Sequence, residues 1–344
     1  MAHLKSQDEA IALPKPKYGH LSAIHPDFEQ IKEAVETDFA ALWELPVEEL
    51  IARWRTAPPA LLKDSPIEGK DITIDHKKVP VRDSTEIEIR IYKPIEPMPN
   101  ALLLFNAHGG GWVLGNHGIE EGQNRLVAAE NKAVVVSADY RMAPEFKFPY
   151  AIDDCFDVLK WCKSNASTLG INPETIVVSG GSAGGNIAAV LAQKTRDEKV
   201  TGVIGQVLNI PVTCHPNHFP RDEFEYGSYE QNAQASMAGA PKLLWFWNQY
   251  LPNGEPHTYA SPLLAKNFRN LPPALIQIAG ADPLRDEGFA YAEKLIHAGV
   301  RTTVKVYPGL PHGFYLFPQL DAAREYLQEV SNFVRGLQRY EVTL

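Results

Sequence analysis

Cysteine is scarce in this chain of 344 residues, with only Cys155, Cys162 and Cys214 present. An odd, sparse set without metal spacing argues against a disulfide framework and against a structural metal site. Cys155 and Cys162 lie seven apart on an expected helix, share a face, and read as small buried hydrophobes. No run approaches about eighteen consecutive apolar residues, so no segment is expected to span a membrane. Met1 to His20 lacks the apolar stretch of a signal peptide; with the free thiols, this predicts a cytoplasmic protein. Positive charge is also in short supply: 33 Lys and Arg against 42 Asp and Glu give a net charge of −9 and a pI near 5.7. The basic residues are scattered, with no stripe, which argues against nucleic acid as a partner. Internal repeats and low-complexity tracts are absent too, which leaves an ordinary globular chain.

What is present is a pattern of strands alternating with helices. The composition, 44% hydrophobic and 22% charged, is that of a folded domain large enough for a substantial core. Apolar runs predict strands at 72–74, 87–91, 102–105, 134–136, 176–178, 203–210, 275–278 and 303–306. Helix-length segments follow at 150–165, 184–196, 286–298 and 319–338. Such alternation predicts a mostly parallel sheet covered on both faces. Residues 1–65 read as a helical segment, with Phe28, Ile31, Val35 and Phe39, then Leu50, Ile51 and Trp54, at helical spacing. Residues 66–344 form the main unit, interrupted at about 211–261 by a stretch too long for a simple connection. That insertion carries the aromatic helix around Trp245, Phe246, Trp247 and Tyr250, and is expected over the carboxyl edge of the sheet.

Two glycine-rich turns carry the chemistry. Gly180-Gly181-Ser182-Ala183-Gly184 lies between an apolar run and a helix, the layout of a nucleophile elbow. Gly180 and Gly184 relieve the collision expected across so tight a turn, and the Ala183 amide points where the Ser182 hydroxyl points. His108-Gly109-Gly110-Gly111-Trp112 follows another strand, and its bare amides suit an oxyanion. A phosphate cradle would want a following Lys-Ser/Thr or G-x-G-x-x-G, and neither occurs. A serine nucleophile needs a base and an orienting acid. His312, in a Gly/Pro-framed loop after the last strand, is the candidate base. His3, His20, His25, His76, His117 and His257 are expected to face solvent, and His297 to be structural. His215 and His218 beside Cys214 read as loop residues, so neither a metal nor a cofactor is expected. Asp282, at a strand end before Pro283, is the candidate acid, with Asp286 expected as N-cap of the next helix.

The order Ser182, Asp282, His312 is that of α/β-hydrolases. Together with Asp139-Tyr140-Arg141-Met142-Ala143-Pro144-Glu145, Asp282-Pro283-Leu284-Arg285-Asp286-Glu287-Gly288 and His312-Gly313-Phe314, the two turns resemble the marker blocks of the hormone-sensitive-lipase-like esterases. The resemblance runs from about residue 70 to the end. It implies an α/β-hydrolase fold, a central sheet of about eight strands flanked by helices, and a helical cap. It implies Ser182 as nucleophile, Asp282 and His312 as its partners, and the amides of Gly110, Gly111 and Ala183 as oxyanion hole. His108 would organise the glycine loop, and Arg141 and Glu145 would brace the neighbouring structure. The substrate would be a small-molecule ester; the rigid rings of Trp245, Phe246, Trp247 and Tyr250 predict a short acyl group, and a homodimer is the candidate assembly. Arylformamidase, thioesterase or acyltransferase chemistry on the same residues, or ligand binding without catalysis, are the alternatives. One departure stands out: the family usually places Asp or Thr before the serine, and this chain has Gly181.

Overall fold

The computed structural model describes residues 16–341. The first fifteen residues of the expected helical segment, His3 among them, lie outside the described residues. All eight expected strands form and make one sheet in the order β1-β2-β4-β3-β5-β6-β7-β8. They are β1 (Ile72–Pro80), β2 (Glu86–Pro94), β3 (Ala101–Ala107), β4 (Val134–Ala138), β5 (Ile171–Gly181), β6 (Val203–Asn209), β7 (Ala274–Ala279) and β8 (Thr302–Tyr307). β2 is antiparallel to both neighbours, and every other pair is parallel.

The central strands read as unbroken apolar runs because both faces are covered. Every residue of β3 and β7 is buried. Successive side chains alternate between faces: Leu103 and Phe105 join one cluster, Leu102 and Leu104 the other. Helices Tyr150–Ser164 and Ala183–Asp197 cover the first face; Glu121–Asn131 and Asp321–Glu341 cover the second. Helix Glu121–Asn131 was not legible beforehand. It buries Glu121, Gln123 and Asn124 beside Val127 and Ala128, so no apolar stripe marks it. The stretch between β6 and β7 carries the short helix Gly227–Gln231 and the aromatic helix Ala240–Tyr250. Trp43, on the N-terminal helix Lys32–Trp43, meets Trp245 and Phe246 of that aromatic helix with ring centroids 5.6 Å apart in each case.

Candidate active site

β5 ends at Gly181 and helix Ala183–Asp197 begins two residues later, leaving Ser182 as the pivot with φ 54° and ψ −116°. A side-chain-bearing residue holds such a conformation only when its surroundings impose it. Here the Ser182 amide donates to Asn209 O at 2.8 Å, and its carbonyl accepts from Asn186 and Val212 at 3.0 and 3.2 Å. A Cβ on Gly180 would overlap the Gly184 backbone, as expected across the turn. Gly184 is needed for another reason: its Cβ would overlap the Ala107 and His108 carbonyls at the end of β3. The close approach of β3 and β5, in register at Ala107 and Gly180, thus demands the second glycine.

Asp282 follows β7 and His312 follows β8, so all three candidate residues leave the carboxyl edge of the sheet. His312 Nδ1–H donates to Asp282 Oδ2 at 2.7 Å, and Nε2 accepts from Ser182 Oγ–H at 2.9 Å. Asp282 is 1% exposed; Ser182 and His312 keep 9% each, enough to reach a ligand. The other Asp282 oxygen accepts the Leu284 amide at 2.8 Å, which fixes the carboxylate. Asp286 is not an N-cap. It lies inside the first turn of helix Arg285–His297, pairs with Arg285 Nε at 2.8 Å, and accepts the Ser228 amide at 2.7 Å.

The glycine loop after β3 bends through positive φ at Gly110 (111°), Gly111 (62°) and Trp112 (61°). A Cβ on Gly110 would overlap the Leu114 carbonyl, and one on Gly111 the Phe246 ring. The amides of Gly110, Gly111 and Ala183 donate to no protein atom among the described residues. The Gly109 amide is engaged, donating to both carboxyl oxygens of Glu120 at 3.1 and 3.3 Å. His108 is fully buried; its Nδ1–H donates to Gly109 O at 2.7 Å, and its ring stacks on Tyr140 at 4.4 Å. Tyr140 O–H in turn donates to His108 O at 2.7 Å. His108 therefore braces the loop from behind. Trp112 lies flat on Tyr250 of the aromatic helix, with centroids 4.3 Å apart.

Residues 104–316 match the family model described as the alpha/beta hydrolase fold. The chain belongs to the α/β-hydrolase family. An AB hydrolase superfamily protein of Schizosaccharomyces pombe is 41% identical over 260 residues, covering 72% of this chain and 73% of that one. The carboxylesterase NlhH of Mycobacterium tuberculosis is 34% identical over 86% of this chain and 89% of its own. Among solved structures, a hyperthermophilic esterase from Pyrobaculum calidifontis superposes with a TM-score of 0.81. It is 33% identical, over 92% of this chain and 99% of that one.

In this α/β-hydrolase, Ser182, His312, Gly110 and Gly111 face a cavity of about 100 Å³. Leu243, Phe246 and Trp247 of the aromatic helix line it, as do Phe39, Trp43 and Trp54 of the N-terminal helices. A larger outer groove of about 760 Å³ shares Phe39, Leu42, Trp54, Ile119 and Leu316 with it. Several histidines differ from expectation. His117 is buried, with Nδ1 2.8 Å from Ser137 Oγ, and burial pushes its pKa down to about 3. His297 is exposed at a helix end. His215 Nδ1 accepts the Asn217 amide at 3.2 Å and His218 Nε2 meets Gly254 O at 2.5 Å, so both rings serve the backbone. Among the described residues, no group of three or more His, Cys, Asp or Glu gathers as a metal site would require. Arg141 is a brace, bonding Asp154 and Asp83 at 2.6 Å each, whereas Glu145 is exposed.

Sequence reasoning missed Glu120 and Tyr315. Burial pushes the Glu120 carboxyl up to about 8, against the pull of the Gly109 amide and the Tyr315 hydroxyl. A glutamate pair at the start of a helix ordinarily reads as a solvated N-terminus, so no local signal marked it.

Proposed function

We propose that the chain is a serine carboxylesterase that hydrolyses small esters with short acyl groups. The observation that carries this reading is the unbroken hydrogen-bond path from Ser182 Oγ through His312 to Asp282, opening on an apolar cavity beside three undirected amides. His312 Nε2 takes the Ser182 proton as the oxygen attacks the ester carbonyl. Asp282 holds the imidazole in the required tautomer and stabilises the imidazolium. Charge developing on the carbonyl oxygen is met by the amides of Gly110, Gly111 and Ala183. His312 then gives its proton to the leaving alcohol, an acyl–Ser182 ester remains, and water activated by the same imidazole releases the acid. No step calls for a cofactor.

The names of the relatives, carboxylesterase and esterase, support this reaction class. The helices Lys32–Trp43 and Val47–Arg55, with the insertion between β6 and β7, act as the cap. Three buried free thiols suit a cytoplasmic enzyme, and no described helix is long and apolar enough to cross a membrane. Rigid rings narrow the cavity beside Ser182, which favours short acyl groups over long ones. Rates across p-nitrophenyl esters from acetyl to palmitoyl test this. The expected optimum lies between acetyl and hexanoyl, with roughly 1–3 kcal/mol of discrimination per misfitting group. An optimum at lauroyl or longer would contradict the short-acyl reading.

A further inference from the structure

The family resemblance places Asp or Thr at position 181, and this chain has glycine there. The space beside that glycine is filled from elsewhere. A Cβ built on Gly181 would lie 2.8 Å from Glu120 Oε1 and 3.1 Å from the Tyr315 hydroxyl. Glu120 comes from the residue just before helix Glu121–Asn131, on a different element, and is 3% exposed. Both of its carboxyl oxygens accept the Gly109 amide, at 3.1 and 3.3 Å, and Tyr315 O–H donates to Oε1 at 3.3 Å. Gly109 immediately precedes the two glycines whose amides face the cavity, and its own Cβ position lies 3.0 Å from Gly181 O. Glu120 thus ties the oxyanion loop down beside the turn that bears the nucleophile.

We propose that Glu120 is a positioning residue for the oxyanion loop, its carboxyl replacing from the neighbouring element the side chain that position 181 lacks. This rests on the esterase reading above. Glycine at 181 and glutamate at 120 are then two halves of one arrangement: either a side chain stands at 181, or Glu120 fills its place. Burial pushes the Glu120 carboxyl up to about 8, which lessens the negative charge it sets beside the developing oxyanion near neutral pH. A surface glutamate capping a helix would do none of this.

The test is a cycle of Glu120→Ala, Gly181→Asp and the double variant, measured as kcat and KM on a p-nitrophenyl acyl ester. Glu120→Ala leaves the Gly109 amide without its acceptor and the loop free to shift, and a shift of about 1 Å can cost on the order of 100-fold. Its kcat is therefore expected to fall roughly 10- to 100-fold, with KM within about threefold. Gly181→Asp alone forces a second carboxyl into occupied space and is expected to lose more. In the double variant the aspartate enters the vacated volume, and kcat is expected to recover to within about tenfold of wild type. Losses that simply multiply, or a folded Glu120→Ala with unchanged kcat, would overturn the proposal. Should Glu120→Ala fail to fold, refolding and turnover restored by Gly181→Asp support it, and a double variant that is also unfolded overturns it. Ser182→Ala in the same assay keeps the two readings apart. If it retains activity the esterase mechanism itself fails; if it is inactive while the cycle is additive, only the role of Glu120 fails.

Discussion

At the scale of single residues, the two aspartates of Asp282-Pro283-Leu284-Arg285-Asp286 show how position divides labour between identical side chains. Asp282 divides its oxygens between His312 and the Leu284 amide, so it orients the imidazole. Asp286 is paired with Arg285 in a place where both side chains are fully buried, so it holds the loop structure. Asp282→Asn should therefore lower kcat by about 10⁴, as expected when the base is left in the wrong tautomer, with little change in Tm. Asp286→Asn should lower Tm by several degrees while kcat stays within about tenfold, since it breaks a buried ion pair. Thermal melts and initial rates on the two variants check this, and a reversed pattern would exchange the roles. Asp282 was legible in the sequence because a strand end marked it. The burial of Asp286 was not, because its partners Arg285 and Ser228 come together only when the insertion folds back.

Among the elements, the aromatic helix Ala240–Tyr250 does two jobs with two of its rings. Tyr250 supports Trp112 and with it the glycine loop, while Phe246 lies against Gly111 so closely that a methyl there would overlap it. Phe246 thus forms a wall of the cavity beside the proposed oxyanion site. Phe246→Ala should move the acyl optimum toward longer chains by removing that wall, and the same p-nitrophenyl ester series reads the shift. An unchanged optimum would mean that the acyl group lies elsewhere, in the outer groove lined by Phe39, Leu42 and Trp54. Spacing alone showed that this helix was aromatic-rich, but not which ring faced the glycines. The central strands were readable because burial on both faces leaves unbroken apolar runs, and outer ones such as Ile87-Glu88-Ile89-Arg90-Ile91 because apolar and polar residues alternate. Helix Glu121–Asn131 was not, because its buried positions are polar: Gln123 bonds Ser179 and Asn209, linking helix to sheet beneath the site.

Over the whole molecule, the beginning of the described chain is bound to its last loops. Leu21 O accepts the Gly309 amide at 2.7 Å, and the His25 amide donates to Gly309 O at 3.1 Å. Ser22 Oγ–H donates to Gly280 O at 3.3 Å and accepts from Arg285 at 2.8 Å. The loops that carry Asp282 and His312 are thereby held to one another by a segment at least 258 residues earlier in sequence. No local pattern could announce such contacts, which explains why the site residues were legible and their scaffolding was not. The proposed mechanism stands or falls with Ser182 Oγ as the atom that attacks the ester. Reaction with diethyl p-nitrophenyl phosphate, followed by intact-mass and peptide analysis, tests it most directly. One diethylphosphoryl group per chain on the peptide containing Ser182, with activity lost in step and no adduct on Ser182→Ala, is the predicted result. Inactivation with the label elsewhere, or full labelling of Ser182 with activity retained, would contradict it.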